Sequence, residues 1–279
     1  MELKIKIVAD SSCDITQLEN IDFEVAPLKI ITSKNEYVDD SNLDVEKMVN
    51  DLAEYKGKSS SSCPNMTDWL AAFGDADIIF CVTITATLSG SYNAACLAKE
   101  SYEEAHPERH VFVLNSLTAG PEIALFIEKM RELALEGEGF EDVCQKVNDY
   151  TQKTGLLFML ESMKNLANNG RVSPITAKMA GILGIRVVGK ASDKGDLEPL
   201  NKCRGEKKAL ETIVSHLKEM GLQNGKVIIA HCLNPDAANQ LKSLILSSMP
   251  NAQIRIHTCK GLCSFYAEKG GMLIGFEKF

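Results

Sequence analysis

Apolar positions along this chain fall into two textures that take turns. Ile78 to Val82 is a short, unbroken apolar run, as expected of a parallel strand buried on both faces, Val111 to Leu114 reads as another buried strand, and Lys4 to Ala9 as the first strand. Val45, Met48, Val49, Leu52 and Ala53 recur at helical spacing, as do Phe140, Val143, Cys144, Val147 and Tyr150. Ile123, Ile127, Met130 and Ala134 mark a helix ending near Glu136, and Ala95, Cys96 and Lys99 one that opens near Tyr92. A second strand over Val25 to Ile31 and a helix from about Trp69 complete the first half. Strand and helix in alternation predict a doubly wound, parallel-sheet α/β domain.

From Thr154 the pattern changes. Leu156 to Leu160 is a strand, and a short helix carries Met163 and Leu166 into Asn168-Asn169-Gly170-Arg171. Pro174, a favoured first helical residue, opens a helix to about Leu183. Ile185 to Gly189 and Leu197 to Leu200 flank Ala191-Ser192-Asp193-Lys194-Gly195-Asp196, a hairpin loop. Leu210, Ile213, Val214 and Leu217 give a helix, and Val227 to Ala230, Ile254 to Ile256 and Met272 to Phe276 give strands. A hairpin mixed with helices predicts a smaller α+β domain, so the expected division is 1–154 and 155–279.

Polar residues gather where these elements meet. After the Ile78 strand comes a turn of hydroxyls and one glycine, Thr83 to Ser91, leading into a helix. Free backbone N–H groups at a helix N-terminus make an anion site. The turn lacks both G-x-x-x-x-G-K and G-x-G-x-x-G, so no nucleotide is specified. Ser89 as a simple helix cap fits equally well. Asp10-Ser11-Ser12-Cys13-Asp14 reads either as a site at a strand's carboxyl end or as a turn of Asx and Ser caps. Ser59 to Ser62, stopped by Pro64, reads as an ordered hydroxyl-rich loop, with Thr67-Asp68 capping the next helix. No G-x-S-x-G elbow is present. A hydrolase or transferase using Ser89, or a reactive Cys63 or Cys259, stands as a second reading, because a helix start lowers a thiol pKa. A small-anion binding module is a third.

Composition narrows the partners. A net charge of −8, with 30 dispersed Lys and Arg, argues against a nucleic-acid or anionic-membrane surface. No apolar run approaches a membrane span, and the first strand follows Met1 too closely for a signal peptide, so a cytoplasmic protein is expected. Nine cysteines without a spaced framework read as reduced, with Cys81 and Cys96 on apolar faces. His257-x-Cys259-x3-Cys263, with His231-Cys232 upstream, lacks the paired spacing of a zinc site, so no metal is expected.

Taken in order, the loops resemble the DegV family of fatty-acid-binding proteins over nearly the whole chain. Val8-Ala9-Asp10-Ser11-Ser12-Cys13-Asp14 is similar to the family's Val-Thr-Asp-Ser-x-x-Asp, and Ser61-Ser62-Cys63-Pro64 sits where the family has Thr-Ser-Gln-Pro. Leu88-Ser89-Gly90-Ser91-Tyr92 matches Leu-Ser-Gly-Thr-Tyr, Leu114-Asn115-Ser116 is like Ile-Asp-Ser, and Asn169-Gly170-Arg171-Val172-Ser173 is like Gly-Gly-Arg-Ile-Ser. The resemblance implies two domains with one long-chain fatty acid, such as palmitate, between them and no further cofactor. It assigns the carboxylate to Ser61 and Ser89, places Gly90 and Arg171 at the same site, and implies a separate fatty-acid kinase as partner. Arg204 matches a family arginine associated with hand-over to that kinase. Three positions depart from the pattern: Ser61 replaces threonine, Cys63 replaces glutamine, and Cys259 stands where the family has a histidine near the head group, with His257 two residues away. The last departure bears more on hand-over than on binding.

Overall fold

The structure, a computed structural model, describes residues 3–178 and 184–279. Its first sheet contains four parallel strands in the order β2 (Asp22–Ala26), β1 (Ile5–Asp10), β6 (Ile78–Thr83), β7 (His110–Asn115). Alternate side chains leave opposite faces of a strand. Val8, Ile79, Cys81 and Val111 therefore pack on α2 (Met66–Phe73) and α3 (Ser91–Ala105), and Ile7, Ala9, Phe80 and Val82 on α4 (Pro121–Leu135) and α5 (Phe140–Thr151).

A mixed sheet of six strands takes over from β8 (Thr154–Leu160). Its order is β10 (Leu197–Arg204), β9 (Ile185–Ala191), β8, β13 (Met272–Glu277), β11 (Lys226–His231), β12 (Gln253–Thr258). Only β11 and β12 run parallel. One face carries α8 (Glu206–Glu219) and α9 (Pro235–Ser248), packed on Leu157, Met159, Val188 and Ile274. Helix α4 lies against the other face as well as against the first sheet, which explains why ten of its residues are buried. Gly275 of β13 permits that approach: a Cβ there would stand 2.5 Å from the Pro121 carbonyl carbon and the Glu122 nitrogen.

The chain departs from its hydrophobic pattern between residues 25 and 62. The expected single strand over Val25–Ile31 is two, because Pro27 offers no N–H to a ladder. β2 ends at Ala26, and β3 (Lys29–Ile31) starts a separate antiparallel sheet. There it lies between β4 (Glu36–Val38) and β5 (Ser60–Ser62), so the serine loop is itself a strand, with Ser61 opposite Ile30. This small sheet, α1 (Val45–Glu54), α6 (Lys164–Asn168) and α10 (Gly261–Ala267) share a core with Phe158, Leu160 and Val187 of the large sheet. The helix after Pro174 is described as α7 (Pro174–Ala177), and residues 179–183 of the expected helix lie outside the described residues. Among the described residues no helix is long and apolar enough to cross a membrane.

Candidate functional site

The loops at the carboxyl ends of β6 and β7, the small sheet and the hairpin face of the large sheet enclose a cavity of about 300 Å³. That lies at the lower end of the ~300–1,000 Å³ usual for small-molecule sites. Most of its wall is apolar, including Leu28, Ile84, Phe158, Leu160, Leu197 and Leu273. Ser61, Ser89, Gly90 and Arg171, spread over 110 positions of sequence, all border it.

Each arrives by a different route. Asp10, fully buried at the end of β1, accepts hydrogen bonds from the Ile84 N–H (2.9 Å) and the Ser91 hydroxyl (2.6 Å) and so pins the turn that presents Ser89. Burial raises the Asp10 pKa, and the bonds from Ser12, Ser91 and Ile84 oppose that shift. The Asp10 to Asp14 cluster does not border the cavity; it follows the turn-and-cap reading. Gly90, not Ser89, is the N-cap of α3, and the Ser89 hydroxyl accepts from the Ser91 N–H at 3.3 Å. A Cβ on Gly90 would lie 3.3 Å from Cys63 Sγ, so β5 and the start of α3 abut directly. Helix α2, which follows β5, is capped by Asn65 in a capping box with Asp68 rather than by Thr67-Asp68 alone.

Arg171 spends two donors on backbone. Its Nε donates to the Leu88 carbonyl at 3.0 Å and its Nη1 to the Asn169 carbonyl. Asn169 Nδ2 donates in turn to the Ser59 carbonyl at 3.3 Å, so the turn after α6 clasps both the Ser89 loop and β5. Leu88, Ser89, Gly90 and Arg171 also line an open surface depression of about 290 Å³. They form the partition between the cavity and the outside.

Two features escaped sequence reasoning. Helix α10 supplies Leu262, Cys263, Tyr266 and Ala267 to the wall, and the Tyr266 hydroxyl lies 2.7 Å from Ser61 Oγ. Leu262, Phe265 and Tyr266 carry a helical i, i+3, i+4 signal, but over seven residues it is faint. The start of α10 is held by acids far away in sequence. Asp39 accepts from the Gly261 and Leu262 N–H groups at 2.6 and 2.8 Å, and Asp14 from the Lys260 N–H at 2.7 Å. Burial pushes the Asp39 carboxyl up to about 6 despite those bonds, and pushes Asp14 up to about 8 with the Asp39 charge adding to the rise.

The cysteine and histidine positions are equally specific. Cys63, half-buried, and Cys263 border the cavity; Cys259 and His257 do not. Burial drives the Cys259 thiol well above its ordinary pKa and lowers His257 to about 4. Among the described residues no group of three or more His, Cys, Asp or Glu is arranged to hold a metal. Arg204, exposed at the end of edge strand β10, lies outside the cavity wall.

A profile described as "Uncharacterised protein, DegV family" matches residues 4–278. The chain belongs to the DegV family. Among its DegV relatives, a DegV domain-containing protein of Streptococcus pneumoniae is 43% identical over 276 residues, covering 98% of each chain. Solved structures of DegV type superpose closely. The Streptococcus pneumoniae Fatty Acid Kinase (Fak) B3 protein loaded with linoleic acid is similar at a TM-score of 0.97 and 42% identity, over 99% of this chain and 100% of that one. A DegV family protein from Eubacterium eligens loaded with heptadecanoic acid gives 0.96 and 41% over the same shares.

Proposed function

We propose that this protein is a fatty-acid carrier of two domains, 1–154 and 155–279, with one long-chain acid in the cavity between them. The observation that carries the reading is the cavity itself, an apolar enclosure whose wall at Ser61, Ser89 and Gly90 offers hydroxyls and the N-terminus of α3. The solved relatives loaded with linoleic and heptadecanoic acid, both above 40% identity, support the choice of ligand.

The energetics divide by ligand part. Burying an acyl chain gains ~0.8 kcal/mol per methylene, so a long tail contributes roughly 10 kcal/mol before the costs of association. A carboxylate that accepts from two hydroxyls and the amides of a helix start forms charge-assisted bonds that fix its register. Arg171 then acts by holding the Leu88 carbonyl and hence the Ser89 loop. With the head group at the partition beside the surface depression, the carboxylate lies close to the outside, where a separate kinase reaches it. Arg204 belongs to the surface that meets this partner. The kinase partnership draws support from the Fak B3 relative.

The hydrolase reading has less in its favour. The one described hydrogen bond of Ser89 comes from a backbone N–H, and no histidine borders the cavity among the described residues. Native mass spectrometry of the purified protein tests the carrier reading: an acyl mass carried through purification, exchangeable for added palmitate, is expected. A protein that neither carries nor takes up palmitate would overturn it.

A further inference from the structure

Ser61 is not alone at the polar part of the wall: its hydroxyl oxygen lies 2.7 Å from that of Tyr266, and both residues border the cavity. A serine hydroxyl rotates freely and has one hydrogen to give. What fixes its direction is the donor it accepts from. Tyr266 is well placed for that task. It packs against both the core under the first sheet and the core under the small sheet, and its helix is pinned at its first turn by Asp39 and Asp14. Burial raises the pKa of its phenol, while Ser61 and the nearby Arg171 charge work the other way, and it is a protonated donor at neutral pH.

We infer that Tyr266 is a positioning residue for the head group: its O–H donates to Ser61 Oγ, which turns the Ser61 hydrogen toward a bound carboxylate. This rests on the carrier reading above and extends it to a residue of α10. Two linked hydroxyls polarise one another, so the Ser61 bond to an anion is stronger than that of an isolated serine. Tyr266 acts through Ser61, and this separates it from a residue that merely fills space. The ligand class follows from the geometry: a chain-terminal anionic oxygen benefits from the aimed hydrogen, and a neutral alcohol of the same length benefits much less.

The test is a double-mutant cycle with two probes, palmitate and the uncharged hexadecanol. Tyr266→Phe is expected to weaken palmitate binding roughly fivefold, the scale of one hydrogen bond, and to leave hexadecanol binding within twofold. In the Ser61→Ala background Tyr266→Phe should change palmitate affinity no further. The carboxyl pKa of bound [1-13C]palmitate, read by NMR, should rise in Tyr266→Phe, because the carboxylate loses part of its stabilisation. Hexadecanol binding reports whether the cavity is intact. Site-specific 3-fluorotyrosine at 266, nearly identical in shape and a better donor, is expected to tighten palmitate binding, which keeps the inference testable if the phenylalanine variant misfolds. Equal effects of Tyr266→Phe with and without Ser61, or an unmoved carboxyl pKa, would overturn the inference while wild-type palmitate binding stands. A wild-type protein that fails to bind palmitate would overturn the carrier reading, and this inference with it.

Discussion

Gly195 sits at the tip of the β9–β10 hairpin, and replacing it with alanine perturbs the cavity wall at a defined point. Its φ is +83°, and a Cβ would stand 2.1 Å from Thr85 Oγ1, 2.9 Å from Thr85 Cβ and 3.0 Å from Leu117 Cα. The left-handed conformation alone costs an alanine about 1–2 kcal/mol. That conformation is fixed by the hairpin, whose Gly195 N–H donates to the Ser192 carbonyl at 2.8 Å while the Ser192 N–H donates to Asp196. The overlap has a cheaper outlet. The tip is joined to the β6–α3 loop by the Thr87 hydroxyl donating to the Gly195 carbonyl at 3.0 Å, and lifting it forfeits about 0.5–1.5 kcal/mol. The sum predicts a loss of roughly 1.5–3.5 kcal/mol, with the hairpin raised from the loop.

Two measurements check this. Urea unfolding should show the lower stability, and amide hydrogen exchange should rise at Ser192 to Asp196 before the rest of the sheet. If the hairpin closes the cavity over a bound acid, release of palmitate in stopped-flow displacement should accelerate as well. Thr87→Val, which removes the hydroxyl at nearly constant shape, is the gentler comparison and should accelerate release with a smaller stability loss, about 0.5–1.5 kcal/mol. Gly195→Ala with wild-type stability and wild-type exchange at the tip would refute the reasoning.

Other outcomes follow from the site and its supports. Ser61→Ala and Ser89→Ala should each weaken palmitate binding by about 1.5–3 kcal/mol in a fluorescence titration, and both within error of wild type would place the head group elsewhere. Arg204→Ala should leave palmitate affinity unchanged while slowing kinase-coupled acyl phosphate formation; the reverse pattern would move Arg204 into the binding site. Asp14 gives a pH dependence with a definite sign. Its folded pKa of about 8 lies above an unfolded value of ~3.9, so within that window the folded state holds a proton the unfolded chain has lost. The Asp14 contribution is then greatest at low pH and falls as pH rises toward about 8, with Asp39 adding the same sign up to about 6 and His257, lowered to about 4, acting the other way below its ordinary value. Urea midpoints should show that decline, and Asp14→Asn should flatten its upper part; an equally steep decline in the variant would count against Asp14 as its source.

Much of this fold was legible because its strands are covered on both faces. The unbroken Ile78–Val82 and Leu156–Leu160 runs need no partner to be recognised, and the Ile185–Leu200 hairpin announces itself through Ser192-Asp193-Lys194-Gly195. The small sheet was hidden for the opposite reason. Its strands are three residues long and β5 is all serine, a sequence whose own preference is for loops. Only pairing with Ile30 makes it a strand, and pairing is a tertiary fact. In the site, Ser61 and Ser89 stood out as motif residues, whereas Tyr266 has no motif. Its role depends on a contact 205 residues away in sequence and on acids at positions 14 and 39 that hold its helix. No local window contains both ends of such an interaction.

That arrangement has a consequence for how ligand and fold depend on one another. The cavity wall draws Ser61 from the small sheet, Ser89 from a loop of the first sheet, and Phe158 and Leu197 from the large sheet. A tail that fills it would border residues of all three sheets and bury the apolar part of the wall, as a core residue does. Helix α4, buried between the two larger sheets, supplies the rigid frame. Two of the hydrogen bonds at the cavity wall are that of Thr87 to the Gly195 carbonyl of the hairpin and the Ser61–Tyr266 pair of α10, a helix whose start Asp39 and Asp14 also hold. Both bonds link a strand or loop of the first half to an element of the second. A change at Gly195 is therefore expected to act on binding through the seating of the hairpin, and loss of the Tyr266 hydroxyl through the direction of the Ser61 hydrogen.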